Sequence, residues 1–210
     1  GFDIDSIKFR SKESHQSKGL KKILIIGRVA YPKNGLNFLK SLSLFELRNG
    51  WIPEVTWIGR RDIDKRSSKD YLSIKMQNEM DSFLKKNRLI QKKWTWLESV
   101  DDISEYYETN DVIVIPSIYE GLPMVLCEAM LSGCFVIASS VCDHPRILGD
   151  NERGILCDPF SPESICLALE KFHKLDPKKK LLITKNARKY AVDNFDLKTM
   201  VGKYEALLRP

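Results

Sequence analysis

The sequence predicts an α/β fold built on a doubly wound parallel sheet. Short runs of β-branched and aliphatic residues recur along the chain, as in strands that are buried on both faces. Segments whose apolar residues keep helical spacing separate most of these runs. Such alternation favours right-handed crossovers and a single parallel sheet, here of about six strands and Rossmann-like in type.

Each element is justified by its local pattern of apolar residues. The predicted strands cover 22–27, 54–59, 91–97, 111–115, 135–140 and 154–157. The predicted helices cover 36–47, 70–89, 103–107, 122–132, 162–173, 178–193 and 197–208. Residues 1–19 are polar and lack periodicity, so we interpret 1–19 as a linker or extended lead-in, 20–195 as one domain and 196–210 as a C-terminal helix.

Composition excludes several classes of protein. The 210 residues are 43% hydrophobic, which is enough to bury a core, and no run approaches the roughly 20 apolar residues that span a bilayer. The net charge is +6 with the basic residues widely spread, which favours anionic membranes or phosphorylated substrates. No pattern typical of nucleic-acid binding accompanies that charge. The five cysteines lack C-x-x-C spacing and are predicted to be buried free thiols.

The stretch 116–133, P-S-I-Y-E-G-L-P-M-V-L-C-E-A-M-L-S-G, follows a predicted buried strand. Gly121 can adopt backbone angles that other residues avoid, and Pro123 has a φ suited to a first helical turn. A helix is therefore predicted to begin near Leu122 and to end at Gly133. Its free N–H groups and positive dipole end would lie at the carboxyl edge of the sheet, where open α/β folds bind ligands and phosphates are stabilised.

Two carboxylates flank this predicted helix start. Glu120 precedes it, and Glu128 lies about 7.5 Å along the axis from Pro123 at ~1.5 Å rise per residue. An ionised carboxylate only accepts hydrogen bonds, so these groups suit hydroxyls on either side of a phosphate site. A nucleotide sugar has that layout, with a diphosphate between two polyols. The alternative is that Glu120 complements the helix dipole and Glu128 is solvated.

A second candidate loop follows the predicted strand at 22–27. It begins at Gly27 and reads G-R-V-A-Y-P-K-N-G, with Arg28 and Lys33 as its two cations. Neither the G-x-G-x-x-G fingerprint nor the P-loop pattern is present. Two cations at the carboxyl end of a strand could neutralise a diphosphate by charge-assisted hydrogen bonds. The alternative is that both are solvated on a surface loop.

Taken together, four segments resemble the C-terminal, donor-binding domain of the group 1 (family 4) retaining glycosyltransferases. They are G-R-x(4)-K-N-G at 27–35, the stretch at 116–133, V-I-A-S at 136–139 and G-I-L-C-D-P-F-S-P-E at 154–163. That family has the two-domain GT-B fold. The first residues, G-F-D-I-D-S-I-K-F, resemble its interdomain segment. The resemblance implies that this chain is the C-terminal half of a GT-B fold, without the N-terminal acceptor-binding domain.

The resemblance also implies a role for each charged candidate. Arg28 and Lys33 would bind the donor diphosphate, Glu128 would bind the ribose hydroxyls, and Glu120 would lie against the donor sugar. Glu120, Arg28 and Lys33 are thus the expected catalytic residues. The donor is expected to be a UDP- or GDP-sugar, with UDP favoured, and the reaction to retain anomeric configuration.

The remaining donor-binding candidates are mainly backbone positions. By resemblance, backbone N–H groups after Glu120 would contact sugar and phosphate, and Gly27 would belong to the same site. These positions are Gly27, Gly121, Leu122, Pro123 and Met124. No metal or other cofactor is expected, because cations and the helix dipole would neutralise the diphosphate.

Two positions depart from the family pattern. Glu98 stands where a glycine is usual before the base-contacting loop, and Arg146 stands in place of a glutamate in the motif D-H-P-R. His144 of that motif either approaches the donor or is a core or surface histidine. These departures put the base contacts in doubt and leave the four charged candidates unchanged.

The expected function is hexosyl transfer to a polysaccharide or glycolipid, as in lipopolysaccharide or capsule synthesis. The expected location is cytoplasmic, with peripheral association at the inner face of the membrane. The C-terminal helix would pack toward the absent domain, and this chain alone would transfer nothing. The alternatives are a non-catalytic nucleotide-sugar-binding module, one subunit of a split enzyme, or a basic nucleic-acid-binding domain. The last of these is disfavoured, so no nucleic-acid partner is expected.

Overall fold

A computed structural model describes residues 1–7, 19–61 and 70–208. In these ranges six parallel strands form one sheet in the order β3-β2-β1-β4-β5-β6, which confirms the predicted fold class. The strands are β1 Lys22–Ile26, β2 Glu54–Ile58, β3 Trp94–Leu97, β4 Val112–Ile115, β5 Val136–Ser139 and β6 Ile155–Cys157. The order reverses between β1 and β4, and a crevice outside the carboxyl ends of the strands is expected at such a switch point.

Helices cover both faces of the sheet. They are α1 Gly35–Asn49, α2 Tyr71–Lys86, α3 Arg88–Lys92, α4 Ser104–Thr109, α5 Met124–Leu131, α6 His144–Leu148, α7 Pro162–Lys174, α8 Pro177–Phe195 and α9 Leu197–Leu208. Short 3-10 turns cover Ile4–Ser6 and Tyr31–Lys33. No helix in the described ranges combines the length and apolarity that crossing a bilayer requires.

Strand β1 shows how the sheet divides the core. Ile23 and Ile25 point to the face covered by α1, α2 and α7, where Phe38 and Phe172 are fully buried. Leu24 points to the opposite face, covered by α4, α5 and α8. After the exposed Lys22 at its start, β1 contains only apolar side chains, so the polar groups that follow it are placed at its carboxyl end.

Several local predictions were wrong at their boundaries. Residues 91 and 92 are helical rather than part of the third strand, since α3 continues to Lys92 and β3 begins at Trp94. The predicted helix 70–89 divides into α2 and α3 at Asn87, and α6 was not predicted. Four cysteines are buried and free as expected, but Cys142 is exposed, in a turn with φ of 48°.

The first residues of the chain lie against the junction of α8 and α9. The Phe2 N–H donates to the Phe195 carbonyl at 2.8 Å, and the Leu197 N–H donates to the Phe2 carbonyl at 2.9 Å. The predicted linker falls largely on residues 8–18, which lie outside the described residues. The proposed boundaries at 19 and 195 stay predictions.

Candidate functional site

The carboxyl ends of β1 and β4 bring the two candidate loops together. Gly27 ends β1 with φ of +135°, a conformation that favours glycine. A Cβ at Gly27 would lie 3.0 Å from Lys33 Cε, so the absence of a side chain lets Lys33 pass close to the strand end. The Gly27 carbonyl accepts a hydrogen bond from Trp57 Nε1 at 2.8 Å. Gly27 is therefore placed to shape the site.

Asn34 fixes the spacing of the loops around the site. It is buried, with φ of 58°, and its Nδ2 donates to the Pro116 carbonyl at 2.8 Å and to the Pro159 carbonyl at 2.7 Å. The Ile118 N–H donates to the Pro32 carbonyl at 2.8 Å. The loops that follow β1, β4 and β6 are thus joined through buried or backbone hydrogen bonds.

Lys33 and Glu120 meet across the switch point. Lys33 Nζ lies 2.7 Å from Glu120 Oε1, and the two side chains are 23% and 13% exposed. Ser117 is buried and its Oγ donates to the same Oε1 at 2.5 Å. Two donors therefore hold one oxygen of Glu120, which leaves Oε2 as the oxygen better placed to accept from a ligand.

A chain of hydrogen bonds supports Ser117 from behind. Ser139 Oγ donates to the Ser117 carbonyl at 2.5 Å, and His144 Nδ1 lies 2.8 Å from the Ser139 carbonyl. Because a carbonyl only accepts, the proton of His144 is on Nδ1 and Nε2 carries a lone pair. Nε2 is buried without a hydrogen-bond partner among the described residues. His144 is therefore a core residue, one of the two alternatives left by the sequence.

The surroundings keep His144 neutral. Burial lowers its pKa below the ordinary value, and the charge of nearby Lys33 acts in the same direction. The hydrogen bond to the Ser139 carbonyl and the charge of Glu120 act in the opposite direction but are outweighed. The imidazole thus lies within electrostatic reach of the Lys33–Glu120 pair.

Arg28 lies just after β1, next to Gly27, and is exposed. Hydrogen bonds from Ser73 lower the pKa of the Asp70 carboxyl, and the positive charge of Arg28 contributes to the same shift. Arg28 is therefore near the start of α2. Of the charged candidates, Lys33 and Glu120 are brought into direct contact, at 2.7 Å.

Glu128 lies one turn inside α5 with a different kind of partner. The Tyr107 hydroxyl on α4 donates to Glu128 Oε2 at 3.0 Å. Tyr107 is 3% exposed, and burial together with the charge of Glu128 raises the pKa of its phenol. The phenol therefore stays protonated and keeps donating. Glu128 Oε1 is left for another donor.

A cavity of about 370 Å³ opens beside Glu128. Both the first residues of the chain and the start of α4 contribute to its wall. Polar and apolar groups alternate around it: Phe2, Asp3, Ser6, Ile7, Asp102, Ile103, Ser104, Tyr107, Glu128 and Ser132. Such a mixed, concave surface next to a carboxylate suits a ring with attached hydroxyls.

The segment between the two glutamates differs from its prediction. Helix α5 begins at Met124, two residues later than expected, with Pro123 preceding its first turn. Pro123 has no N–H group to donate, and the Met124 N–H donates to the Leu122 carbonyl at 2.8 Å. Of the four predicted backbone donors, Gly121 and Leu122 keep N–H groups without a recorded partner in the described structure.

Gly121 also lacks the positive φ that its type suggested. A Cβ built there would meet no atom within 4 Å. Neither backbone conformation nor packing within the chain explains a glycine at this exposed position. Close approach by a ligand would explain it, since glycine lets the backbone come nearest to a bound group.

The two unusual charged residues lie on the surface. Glu98 is exposed just after β3. Arg146 on α6 pairs with Asp143 at 3.2 Å, and both side chains are more than half exposed. Neither one enters the Lys33–Glu120 contact.

Sequence reasoning missed three residues that hold the site. For Ser117 a signal existed, because the spacing S-x-x-E resembles the local side-chain contacts of capping boxes. For Asn34 the signal was weaker, namely an Asn-Gly pair ahead of a helix. Tyr107 gave no local signal, because its contact with Glu128 depends on how α4 packs against α5.

In the described ranges, no cluster of three or more His, Cys, Asp or Glu side chains is placed to hold a metal ion. The expectation that no metal takes part stays a prediction.

A family model described as "Glycosyl transferases group 1" matches residues 6–190. Among curated relatives, the chain is 26% identical over 193 residues to the Escherichia coli "UDP-Gal:alpha-D-GlcNAc-diphosphoundecaprenol alpha-1,3-galactosyltransferase". That alignment covers 90% of this chain and 46% of the relative. The lipopolysaccharide glucosyltransferase WaaG of E. coli K12 is 31% identical over 49% of this chain and 27% of its own length. The chain thus spans less than half the length of these relatives.

Solved structures share the fold. Anabaena Alr3699/HepE, crystallised in complex with UDP and glucose, superposes with a TM-score of 0.79 at 19% identity and covers 99% of this chain and 55% of its own. The C-terminal domain of the group 1 protein LpcC from Francisella tularensis superposes with a TM-score of 0.74 at 22% identity. It covers 94% of this chain and 100% of its own length. These structures confirm the fold expected for the C-terminal half of a GT-B protein.

Proposed function

Because the chain belongs to the group 1 glycosyl transferases, we propose that it is the donor-binding part of an enzyme that transfers a hexose from a UDP- or GDP-sugar. One observation carries the proposal. Lys33 and Glu120 meet at the switch point of the sheet, and Glu128, one turn inside α5, lies beside a cavity. Cations flanked by two carboxylates suit a diphosphate flanked by two polyols.

Each part of the site has a part of the donor to bind. The diphosphate lies over the ends of β1 and β4, against Lys33 and Arg28. The ribose hydroxyls reach Glu128 Oε1, and the nucleobase enters the cavity at the start of α4. The transferred sugar lies against Glu120 Oε2, for which the described residues provide no hydrogen-bond donor.

The chemistry follows from this placement. An acceptor hydroxyl oxygen forms a bond to the anomeric carbon of the sugar as the bond from that carbon to the diphosphate oxygen breaks. The hydroxyl proton passes to the leaving diphosphate, on which negative charge grows in the transition state. Lys33 and Arg28 stabilise that charge in the transition state, and the positive end of α5 adds to the effect. We propose retention of anomeric configuration and no metal requirement, both on the resemblance to the family.

Relatives guide the choice of donor and acceptor. The galactosyltransferase named above uses UDP-galactose by its name, and Alr3699/HepE binds UDP and glucose. Relatives are named for lipopolysaccharide and capsular polysaccharide synthesis. We therefore favour a UDP-sugar and a glycolipid or polysaccharide acceptor, with the enzyme at the cytoplasmic face of the membrane.

The acceptor is proposed to bind a further domain, because the relatives are about twice as long as this chain. Helix α9 is a candidate contact for that domain. Its apolar side chains Val201, Tyr204 and Leu207 are 44%, 61% and 80% exposed. The 210 residues alone are expected to bind the donor weakly and to transfer nothing, since the cleft closes between two domains.

Calorimetry with UDP, GDP and ADP tests the proposal. One of these nucleotides should bind, and Arg28→Ala should weaken that binding about tenfold or more, as expected for the loss of a charge-assisted hydrogen bond. Arg48→Ala is the matched control, because Arg48 on α1 pairs with Glu163 and Glu170 instead. If no nucleotide binds and Arg28→Ala changes nothing, the proposal is wrong.

A further inference from the structure

Lys33 and Glu120, two residues proposed to bind the ligand, form an ion pair with each other. Lys33 is the cation expected to hold the diphosphate, and Glu120 is the carboxylate expected to hold the sugar. Their side chains lie 2.7 Å apart and are 23% and 13% exposed. A ligand that needs Lys33 must therefore compete with Glu120 for it.

Hydrogen bonds hold together the two loops that carry Lys33 and Glu120. Asn34 Nδ2 holds the Pro116 carbonyl at 2.8 Å, and the Ile118 N–H holds the Pro32 carbonyl at the same distance. These contacts tie the loop that carries Lys33 to the loop that carries Glu120. Moving the loops apart would break these hydrogen bonds, whereas side-chain rotation would keep them, so rotation is the less costly way to separate the charges, and its cost must be met by the ligand.

A nucleoside diphosphate and a nucleotide sugar differ in the new contacts that they offer to Lys33 and Glu120. A nucleoside diphosphate attracts Lys33 but offers Glu120 no hydrogen-bond donor, and its negative charge repels the carboxylate. A nucleotide sugar brings hydroxyl donors to Glu120 along with the diphosphate for Lys33. The replacement partner for Glu120 is thus present in the substrate and missing from the product.

We propose that the Lys33–Glu120 pair is a specificity device that makes the site discriminate the intact nucleotide sugar against the free nucleoside diphosphate. This inference rests on the proposed function and deepens it. Glu120 lowers affinity for the product by holding Lys33, and it raises affinity for the substrate by accepting from the sugar. Release of the product after transfer follows from the same contact.

Glu128 provides the internal comparison. Its recorded partner is the neutral Tyr107 hydroxyl, and no cation among the described residues lies within ion-pair distance of it. Substrate and product carry the same ribose. Glu128 should therefore contribute equally to both and should not discriminate between them.

The test measures dissociation constants of the 210-residue chain for UDP and for UDP-glucose, UDP-galactose and UDP-N-acetylglucosamine. GDP and GDP-mannose replace them if GDP is the nucleotide that binds. The quantity compared is the ratio of the nucleotide constant to the nucleotide-sugar constant. The variants are Glu120→Gln, Glu128→Gln and Glu54→Gln. Glu54 begins β2, at the end of the strands away from the site, so Glu54→Gln is the charge-removing control.

Glu120→Gln should tighten UDP binding several-fold and weaken UDP-sugar binding, so the ratio should fall by about tenfold. Glu128→Gln should weaken both ligands and leave the ratio within about twofold. Glu54→Gln should change neither constant. In a Lys33→Ala background, the gain in UDP affinity from Glu120→Gln should shrink, because no lysine remains to be released.

A Glu120→Gln ratio within twofold of the unmodified chain, with nucleotides still bound, would overturn the inference while leaving the proposed function in place. An equal fall of the ratio in Glu128→Gln would also overturn it, since the discrimination would then not belong to the ion pair. If the unmodified chain binds no nucleotide, the proposed function fails and the inference falls with it. Circular dichroism of each variant separates misfolding from a change in affinity.

Discussion

The two glutamates of the site are held in opposite ways. Glu120 shares one oxygen between a cation, Lys33, and the Ser117 hydroxyl, so its charge is largely compensated before any ligand arrives. Glu128 has a neutral phenol, Tyr107, on one oxygen and keeps its full negative charge beside a cavity. Both leave one carboxylate oxygen for a ligand.

The difference matches how much repulsion from a bound diphosphate each carboxylate would experience. A carboxylate close to a diphosphate raises the energy of the bound state unless a cation lies between them. Glu120 is paired directly with Lys33, the residue that we propose to bind the diphosphate, and that pairing supplies the shielding. Glu128 lies further into α5, where a hydroxyl that only orients the carboxylate is sufficient.

Among the variants that test this comparison, Lys33→Ala is expected to have the largest effect. The variant removes a diphosphate contact and leaves Glu120 mostly buried without its counter-ion. Nucleotide affinity should fall by about 10- to 100-fold, the range expected for one or two charge-assisted hydrogen bonds. The melting temperature should also fall, because an uncompensated charge is left in a partly buried place. Calorimetry and thermal unfolding measure the two effects.

The control for Lys33→Ala is Lys93→Ala. Lys93 also pairs with a glutamate, Glu54, at 3.1 Å, but these side chains are 41% and 54% exposed. A surface pair of this kind contributes little to stability, so the melting temperature should be unchanged. Equal losses in the two variants would mean that burial of the Lys33–Glu120 pair has no energetic consequence.

Removing one hydroxyl at each end sharpens the comparison. Tyr107→Phe should weaken binding of a ribonucleotide about three- to tenfold, because Glu128 loses its recorded orienting contact. Ser117→Ala should cost about twofold or less, because Lys33 still holds the same oxygen of Glu120. Both variants keep the shape of the side chain nearly intact.

A 2′,3′-dideoxy nucleoside diphosphate identifies where the Tyr107 effect arises. If Tyr107 acts through Glu128 on ribose hydroxyls, Tyr107→Phe should leave affinity for the dideoxy analogue unchanged. Ser117→Ala should affect the ribo and dideoxy forms alike. A Tyr107→Phe penalty that persists with the dideoxy analogue would contradict a role through the ribose.

The fold could be predicted almost completely from sequence, because buried parallel strands leave unbroken apolar runs. The six strands were found, and the errors lie where a run was polar at one end, as at 91–93. Short helices such as α6 were missed, since five residues carry too little periodicity.

The charged candidates could be proposed from sequence, but their partners could not. Lys33 and Glu120 are 87 positions apart, and only the switch point between β1 and β4 brings them into contact. Tyr107 and Glu128 meet because α4 packs beside α5. By contrast, the absence of an N–H group at Pro123 follows from proline chemistry alone, so the prediction of a backbone donor at Pro123 was wrong.

The smallest expected effect is a decrease in the free energy of unfolding on acidification, to which His144 contributes. The folded-state pKa of His144 lies below its unfolded value because burial disfavours the charged imidazolium, and Lys33 adds to this. The unfolded chain therefore binds more protons as pH falls through about 6.5, the ordinary histidine pKa. Stability is full above that pH and should decline as the solution is acidified toward pH 5. The pKa of His173 is also lowered, by burial first and then by the charges of Lys180 and Lys174, so His173 adds to the decline.

His144→Asn separates these contributions, because the Asn Nδ2 can still donate to the Ser139 carbonyl. Urea unfolding at pH 7.5 and pH 5.5 should show a smaller loss of unfolding free energy in His144→Asn than in the unmodified chain. An acid loss that is identical in His144→Asn would assign the pH dependence to His173 and to carboxylates elsewhere in the fold.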